Sequence, residues 1–159
     1  MSLSSSDPVM VAIEKLRQHL DTHPSEDNVA SELYPYGRVT VAQAREKNQV
    51  QHEAAVIILI APNQNRLSAL FIKRNAHGIH GRQIAFPGGK RDFGESFEIT
   101  AIRELQEETG IQISEKNLAC TLSDVYIVPS QFVVRPFVAI LEESPIITPN
   151  LDEIDATFW

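Results

Sequence analysis

Cysteine and basic residues are both scarce in this sequence of 159 residues. Cys120 is the only cysteine, so an intramolecular disulfide is excluded and a reducing compartment such as the cytoplasm is expected. Only 14 lysines and arginines stand against 21 acidic residues, which gives a net charge of −7. A general nucleic-acid binder needs a basic face for the phosphates, so this class of function is disfavoured.

Long hydrophobic runs are also missing. The longest, at residues 54–61, is too short for a transmembrane helix, which needs about 20 residues. The first residues, MSLSSSDP, lack a basic region, and no apolar segment of the kind found in signal peptides follows them, so no signal peptide is expected. The composition, 43% hydrophobic and 22% charged, is ordinary for a globular domain. We therefore expect one soluble, cytoplasmic domain without a membrane partner.

An amphipathic helix is predicted near the start, at residues 7–20. Asp7 can cap it, and Pro8 suits the first helical position. Apolar residues then recur on one face: Val9, Ile13, Leu16 and Leu20. Such a face predicts docking on a sheet of the same chain or on a second subunit, so a homodimer is one alternative.

The polar segment after this helix, residues 21–51, contains several helix breakers and one candidate short strand at 38–41. We interpret it as an arm and not as a second domain. The prediction is therefore an N-terminal helix and arm over residues 1–51, packed on a domain over residues 52–159.

Segments of strand composition dominate the rest of the chain. Residues 54–61 are continuously apolar and β-branched, which predicts a central strand buried on both faces. Turn residues follow at 62–65, and residues 67–73 are predicted to return as the partner strand of a hairpin. Further strands are predicted at residues 83–86, 118–127 and 132–141. Residues 158–159 resemble the entry of another strand, so we expect that the chain is cut short after Trp159.

An acidic helix is predicted between Ser96, which can cap its start, and Gly110, which can end it in a left-handed turn. Three glutamates near its end share one flank: Glu104, Glu107 and Glu108. Their mutual repulsion, and their position at the negative end of the helix dipole, each cost about 0.2–1 kcal/mol.

A divalent cation between these carboxylates would remove both penalties. Hard oxygen ligands favour Mg²⁺ or Mn²⁺ over zinc. A solvated acidic helix face is the alternative interpretation, since it is the commoner explanation of a glutamate run.

The residues around the helix carry a specific pattern. Gly89 is followed by five residues and Glu95, and then by seven residues and a block of fixed positions: Arg103-Glu104-Leu105, Glu107-Glu108 and Gly110-Ile111. This pattern matches every fixed position of the Nudix box, so the chain resembles the Nudix hydrolases. The resemblance implies an α/β fold, an α/β/α sandwich around a mixed β-sheet. It also implies hydrolysis of a nucleoside diphosphate linked to a further group.

The resemblance also implies a role for each box residue. Glu104, Glu107 and Glu108 would bind Mg²⁺ or Mn²⁺, and the carbonyl of Gly88 would be a further ligand. Arg103 would orient a catalytic glutamate. The general base is left open between Glu104 and a carboxylate from a later part of the chain: Glu142, Glu143 or Glu153.

Basic residues are concentrated just before the box. Five of the 14 lie within 19 positions: Lys73, Arg74, Arg82, Lys90 and Arg91. In an acidic chain this reversal predicts an anionic substrate, and we assign Lys73, Arg74, Arg82 and Lys90 to substrate binding. A scatter of solubilising surface charges is the alternative. His77 and His80 are interpreted as solvated loop residues.

Residues 70–74 and 80–89, which read LFIKR and HGRQIAFPGG, resemble the motif before the box in the coenzyme A pyrophosphatase branch. Residues 128–130 and 135–137 also resemble that branch. The resemblance implies hydrolysis of coenzyme A or its thioesters to an adenosine 3′,5′-bisphosphate and a 4′-phosphopantetheine product.

Two alternative functions are left open. One is a pyrophosphohydrolase of nucleoside triphosphates or ADP-sugars. The other is a non-catalytic nucleotide-binding Nudix module, although such modules commonly lack box glutamates and none is missing here.

Overall fold

A computed structural model describes residues 7–22, 39–76 and 82–159 of the chain. The helices in this part are α1 (Pro8–Thr22), α2 (Val41–Glu46) and α3 (Phe97–Thr109). The strands are β1 (His52–Asn63), β2 (Arg66–Ala69), β3 (Phe71–Arg74), β4 (Ile84–Ala85), β5 (Gly88–Lys90), β6 (Leu118–Thr121), β7 (Val125–Ile127), β8 (Phe132–Ile140) and β9 (Ile154–Phe158). Short 3₁₀ turns lie at Glu115–Asn117 and Val128–Ser130.

These strands form two sheets. The larger sheet has the order β2-β1-β8-β6, with β5 also paired to β1 and β7 also paired to β8. The smaller sheet has the order β4-β3-β9. Strands β1 and β8 are parallel, whereas β1 pairs with β2 and β5 in antiparallel fashion. The larger sheet is therefore mixed, and the predicted α/β fold class is confirmed.

Alternate residues of β1 face different helices, because successive side chains of a strand point to opposite faces. Ile57 and Leu59 pack in one core cluster with Leu105 of α3. Ile58 and Ile60 pack against the other cluster, which contains Ile13 of α1. Helices thus cover both faces of the larger sheet, and the predicted α/β/α sandwich is confirmed.

Helix α1 docks on the sheet of its own chain. The backbone N–H of Val9 donates to the Asp7 carboxylate over 2.8 Å, which is the predicted cap. Val9 and Ile13 are buried beside Val138 and Ile140. Helix α1 therefore packs on the sheet of its own chain, which is one of the two predicted docking partners. The homodimer stays a prediction. Within the described ranges, no helix has the length and hydropathy that crossing a bilayer requires.

The prediction of a strand at 38–41 is wrong for the described residues: 39 and 40 are not in a strand, and Val41 begins helix α2. Thr40 caps helix α2: its hydroxyl accepts from the Gln43 backbone N–H over 3.2 Å, and the Gln43 side chain accepts from the Thr40 N–H over 3.0 Å. This reciprocal pair is a capping box, which outweighs the β-branched composition of the segment. Arg38 lies outside the described residues.

The strand predicted at 67–73 is two strands in different sheets. Leu70 separates β2 from β3; it is fully buried, and its N–H donates to the Leu59 carbonyl over 2.9 Å. The strand predicted at 118–127 is also divided, into β6 and β7. The division lies opposite Pro136, which accepts from the Leu122 N–H but has no N–H to continue the ladder.

Candidate active site

Helix α3 brings the box glutamates to the edge of the larger sheet. The Ser96 side chain accepts from the Ile99 N–H over 3.2 Å at its start, and Gly110 ends it with φ 73°. Both helix boundaries were predicted from sequence. Because Ala101 and Leu105 are fully buried under the sheet, the neighbouring glutamates are turned towards the loop that precedes the helix.

Arg103 is bonded to three carboxylates at once. Its guanidinium donates to both oxygens of Glu95, over 2.9 and 3.1 Å. Its Nη1 also donates to Glu104 over 2.9 Å and to Glu107 over 2.8 Å. The hydrogen bonds to Glu95 are the main cause of a raised pKa for Arg103, and those to Arg103 lower the pKa of Glu95 to about 2.

Arg103 therefore supplies a counter-charge that the sequence argument overlooked. From the sequence, a bound cation was expected to relieve repulsion between the glutamates. In the structure a side chain of the same helix already pairs with Glu104 and Glu107, so its single positive charge offsets part of their repulsion, and Glu95 holds it in place. The predicted orienting role of Arg103 fits these contacts but is left as a prediction.

Glu108 is the most deeply placed acid of the site. Its side chain is only 2% exposed, and it accepts from the Gly88 N–H over 2.9 Å. Nη1 of Arg74 lies 3.7 Å from its other oxygen. Burial raises the pKa of Glu108 to about 7, against the lowering effects of Gly88 and Arg74.

Glu104 lies against the Gly88-Gly89 backbone. A β-carbon on Gly89 would come within 2.4 Å of the Glu104 carboxylate, so only glycine leaves room for this side chain. Burial is also the main cause of a raised pKa for Glu104. The glycine pair thus leaves room for the buried Glu108 carboxylate and for the largely buried Glu104 carboxylate.

The predicted substrate-binding residues do not form one cluster. Arg74 reaches the site, since its Nη1 also lies 3.4 Å from the Gly88 carbonyl. Lys73 pairs instead with Asp155 of β9 over 3.5 Å. Arg82 and Lys90 have exposed side chains. Arg82 is anchored through its own N–H to the Arg74 carbonyl, and the Lys90 carbonyl accepts from Arg103.

Arg91, the fifth basic residue, has structural contacts. Its guanidinium is paired with Glu53 of β1 and donates to the Glu95 carbonyl over 2.7 Å. It also lies over the Phe97 ring, 5.0 Å from the centroid, and Arg135 lies 4.1 Å from the same centroid. These contacts secure the loop before α3. His77 and His80 lie outside the described residues.

The three later candidates for the general base occupy different surroundings. Glu142 pairs with Arg17 of α1 over 3.5 Å, and Glu143 is exposed. Beside burial, which is the main cause, the negative charge of Glu153 makes a minor contribution to the raised pKa of both Glu104 and Glu108. Glu153 accepts from the Asn150 side chain over 3.1 Å. Asn150 was missed from sequence, although Pro149-Asn150 is a turn signal.

The chemistry of the acidic residues fits a hard cation. Glu104, Glu107 and Glu108 offer only carboxylate oxygens, which suit Mg²⁺ or Mn²⁺, and two of them are largely buried. Their present contacts are with Arg103 and with Gly88. Within residues 7–22, 39–76 and 82–159, no three acidic, histidine or cysteine side chains converge closely enough to hold a metal ion.

Comparison with known protein families gives one domain match. Residues 50–159 match the model described as NUDIX domain.

Two curated relatives are similar to this chain over about two thirds of its length. Nudix hydrolase 3 of Caenorhabditis elegans is 32% identical over 108 residues, which cover 65% of this chain and 45% of the relative. The mitochondrial coenzyme A diphosphatase NUDT8 of Mus musculus is 32% identical over 114 residues, which cover 66% and 52%. The chain thus spans about half the length of the curated relatives it matches.

Among solved structures, the fold is similar to a bifunctional NMN adenylyltransferase/ADP ribose pyrophosphatase from Francisella tularensis. That structure holds AMP and a manganese ion. The superposition has a TM-score of 0.56 and 22% sequence identity, and it covers 69% of this chain and 33% of the other. At this identity the similarity supports the fold.

Proposed function

This chain belongs to the Nudix family, and from that premise we propose that it is a Mg²⁺- or Mn²⁺-dependent pyrophosphohydrolase. The observation that carries the proposal is a pair of carboxylates seated against Gly88 and Gly89: Glu108, which is buried, and Glu104, which is largely buried. Acids whose pKa is raised by burial beside specific charged partners are concentrated at functional sites.

Glu104, Glu107 and Glu108, with the carbonyl of Gly88, would hold the cation. Glu104 and Glu107 would then exchange a hydrogen bond from Arg103 for the metal. The metal, when bound, neutralises charge on the phosphoryl oxygens. Arg103 would stay attached to Glu95 through its two remaining hydrogen bonds, close to the phosphates.

We propose Glu153 as the general base that takes a proton from the attacking water. The turn that carries Glu153 is hydrogen-bonded through Asn150 to the Glu108 carbonyl, which supports a position near the reacting phosphate. Glu104 is the alternative, but its carboxylate accepts from Arg103 and is close-packed against Gly89. Glu142 is engaged with Arg17 and is not proposed.

The proposed substrate is coenzyme A or one of its thioesters. The similarity to a coenzyme A diphosphatase of mouse supports this choice, together with the sequence motifs before the box. Arg74 supplies positive charge at this acidic site, as a substrate with several phosphates requires. The exposed Arg82 and Lys90 are proposed to add to it, whereas Lys73 pairs with Asp155. A cytoplasmic location stays a prediction.

A substrate panel tests this function. Coenzyme A, acetyl-coenzyme A, ADP-ribose and dGTP are incubated with the protein and Mg²⁺, then Mn²⁺, then EDTA, and the products are identified by mass. We expect metal-dependent release of 4′-phosphopantetheine from coenzyme A. Equal or faster turnover of ADP-ribose or dGTP would refute coenzyme A as the substrate. If no compound were hydrolysed, the proposed pyrophosphohydrolase activity would be refuted.

A further inference from the structure

The turn before β9 is attached to the end of helix α3. The Thr148 N–H donates to the Thr109 carbonyl over 2.8 Å, and the Asn150 N–H donates to the Glu108 carbonyl over 3.0 Å. These carbonyls belong to the last turn of the helix, where no helical donor remains for them. The turn is thus held to the backbone of Glu108 itself.

Asn150 organises the turn with every polar group it has. Its carbonyl accepts from the N–H groups of Glu153 and Ile154, each over 3.0 Å. Its side-chain oxygen accepts from the Asp152 N–H over 3.2 Å. Its side-chain Nδ2 donates to Oε1 of Glu153 over 3.1 Å. One residue therefore links the buried acid of α3 to the carboxylate proposed as the base.

The other side of the turn is attached to the end of β3. The Asn75 N–H donates to the Glu153 carbonyl over 3.1 Å, and the Asn75 side chain donates to the Asp152 carbonyl. Asn75 directly follows Arg74, whose guanidinium pairs with Glu108. The turn therefore connects the end of β3 to the end of α3, the same two elements that the ion pair between Arg74 and Glu108 connects.

We infer that Asn150 is a positioning residue that holds the Glu153 carboxylate towards the acidic flank of α3. This inference rests on the proposed function, because it assumes that Glu153 takes the proton. An exposed glutamate samples many rotamers, and a side-chain donor fixed to the backbone of α3 restricts them.

The test uses five variants of the full chain. Asn150→Ala removes both side-chain hydrogen bonds, whereas Asn150→Asp keeps an acceptor for the Asp152 N–H and loses the donor to Glu153. Glu153→Gln and the double variant Asn150→Ala/Glu153→Gln complete a double-mutant cycle with Asn150→Ala and the wild type. Asn117→Ala is the matched control, because Asn117 also holds a turn, through Ser114, in another loop.

We expect both Asn150 variants to lower kcat by about tenfold or more, with KM within about twofold, since a misplaced base loses part of its contribution of 10²–10⁴. Asn117→Ala should keep the kcat of the wild type. In the Glu153→Gln background, Asn150→Ala should have no further effect, because the two residues act as a unit. An equal loss in both backgrounds would overturn the inference, and so would an unchanged kcat in Asn150→Asp.

Failure of the inference and failure of the proposed function are distinguishable. A wild-type rate in Glu153→Gln would overturn the positioning role while hydrolysis remained. If the wild type hydrolysed no compound of the panel, the proposed function would be refuted. NMR would still test the hydrogen bond between Asn150 and Glu153. The Asn150 side-chain amide signal should move in Glu153→Gln and stay in Glu143→Gln. An unmoved signal in Glu153→Gln would overturn the contact itself.

Discussion

The space beside Gly89 is filled by the carboxylate of Glu104. A β-carbon on Gly89 would lie 2.4 Å from all three atoms of that carboxylate. The adjacent Gly88 meets backbone instead: a β-carbon there would lie 2.3 Å from the Ala55 carbonyl oxygen, and its φ is +152°. The two glycines of one loop are therefore required for different reasons.

Gly89→Ala should fold normally and lose activity, because the Glu104 side chain can move aside but then leaves the site. We expect metal-dependent kcat to fall by about 10–100-fold with a loss of unfolding free energy of about 1 kcal/mol or less. Gly88→Ala is the contrast, since backbone cannot move aside; it should cost about 1–3 kcal/mol or more. Urea unfolding and turnover separate the two cases, and a stable Gly88→Ala would contradict the packing argument.

The buried Glu108 should make the metal-free protein less stable as the pH rises. Its pKa is raised from 4.5 to about 7 in the folded state. Between these values the folded state binds more protons than the unfolded state, so the free energy of unfolding falls as pH increases. The contribution is fully present below pH 4.5 and lost above about pH 7.

This prediction is measured by urea unfolding in EDTA at several pH values between 5 and 8. The difference between Glu108→Gln and the wild type should change with pH by an amount on the order of 3 kcal/mol in favour of the variant. Glu143→Gln is the control, because Glu143 is exposed. A difference that does not depend on pH would show that Glu108 is ionised throughout.

Arg103→Gln should make the fold depend more strongly on Mg²⁺. The variant loses the counter-charge between Glu95, Glu104 and Glu107, so only a cation can relieve their repulsion. We expect Mg²⁺ to raise the melting temperature of the variant by about 2–4 °C more than that of the wild type, which for a chain of this size corresponds to a difference of about 1 kcal/mol. Arg45→Gln is the control, since Arg45 makes only a distant pair with Glu53 at 3.9 Å.

Differential scanning fluorimetry with EDTA or Mg²⁺ gives the comparison for Arg103. An equal Mg²⁺ response in the variant and the wild type would mean that Arg103 does not compensate the carboxylates.

Arg82→Ala should weaken binding of a substrate that carries an extra phosphate. The exposed Arg82 side chain is proposed to meet the 3′-phosphate of coenzyme A. We expect the KM for coenzyme A to rise by about tenfold, as the loss of one charged contact of about 1.5–3 kcal/mol permits, with an unchanged KM for dephospho-coenzyme A. Arg66→Ala, at an exposed end of β2, is the control. Equal effects on both substrates would assign Arg82 to another phosphate.

Local patterns in the sequence determined the elements around the site. Ser96 and Gly110 bound helix α3 as predicted, since caps act through the nearest backbone groups. The apolar run of β1 was recognisable as a central strand, because a strand that is buried on both faces has no alternating polar residues. The spacing of the glutamates along α3 placed them on one flank for the same local reason.

The tertiary structure decided which acidic and basic side chains form ion pairs. Arg103 is next to Glu104 in sequence, yet its strongest partner is Glu95, eight residues earlier and just before the start of α3. Arg74 and Lys73 are adjacent, yet one faces Glu108 and the other faces Asp155, because β3 exposes them in different directions. Periodicity along a segment cannot reveal these partners, since they depend on where loops close.

Burial made the same distinction among the acids. Glu107 and Glu108 are identical and consecutive, but the sheet and the Gly88 backbone cover only Glu108, whose side chain is 2% exposed against 48% for Glu107. The raised pKa follows from that burial and from no property of the sequence pattern. The sequence by itself determined which acids lie on the flank, and the packing of helix, sheet and turn decided what each acid contacts.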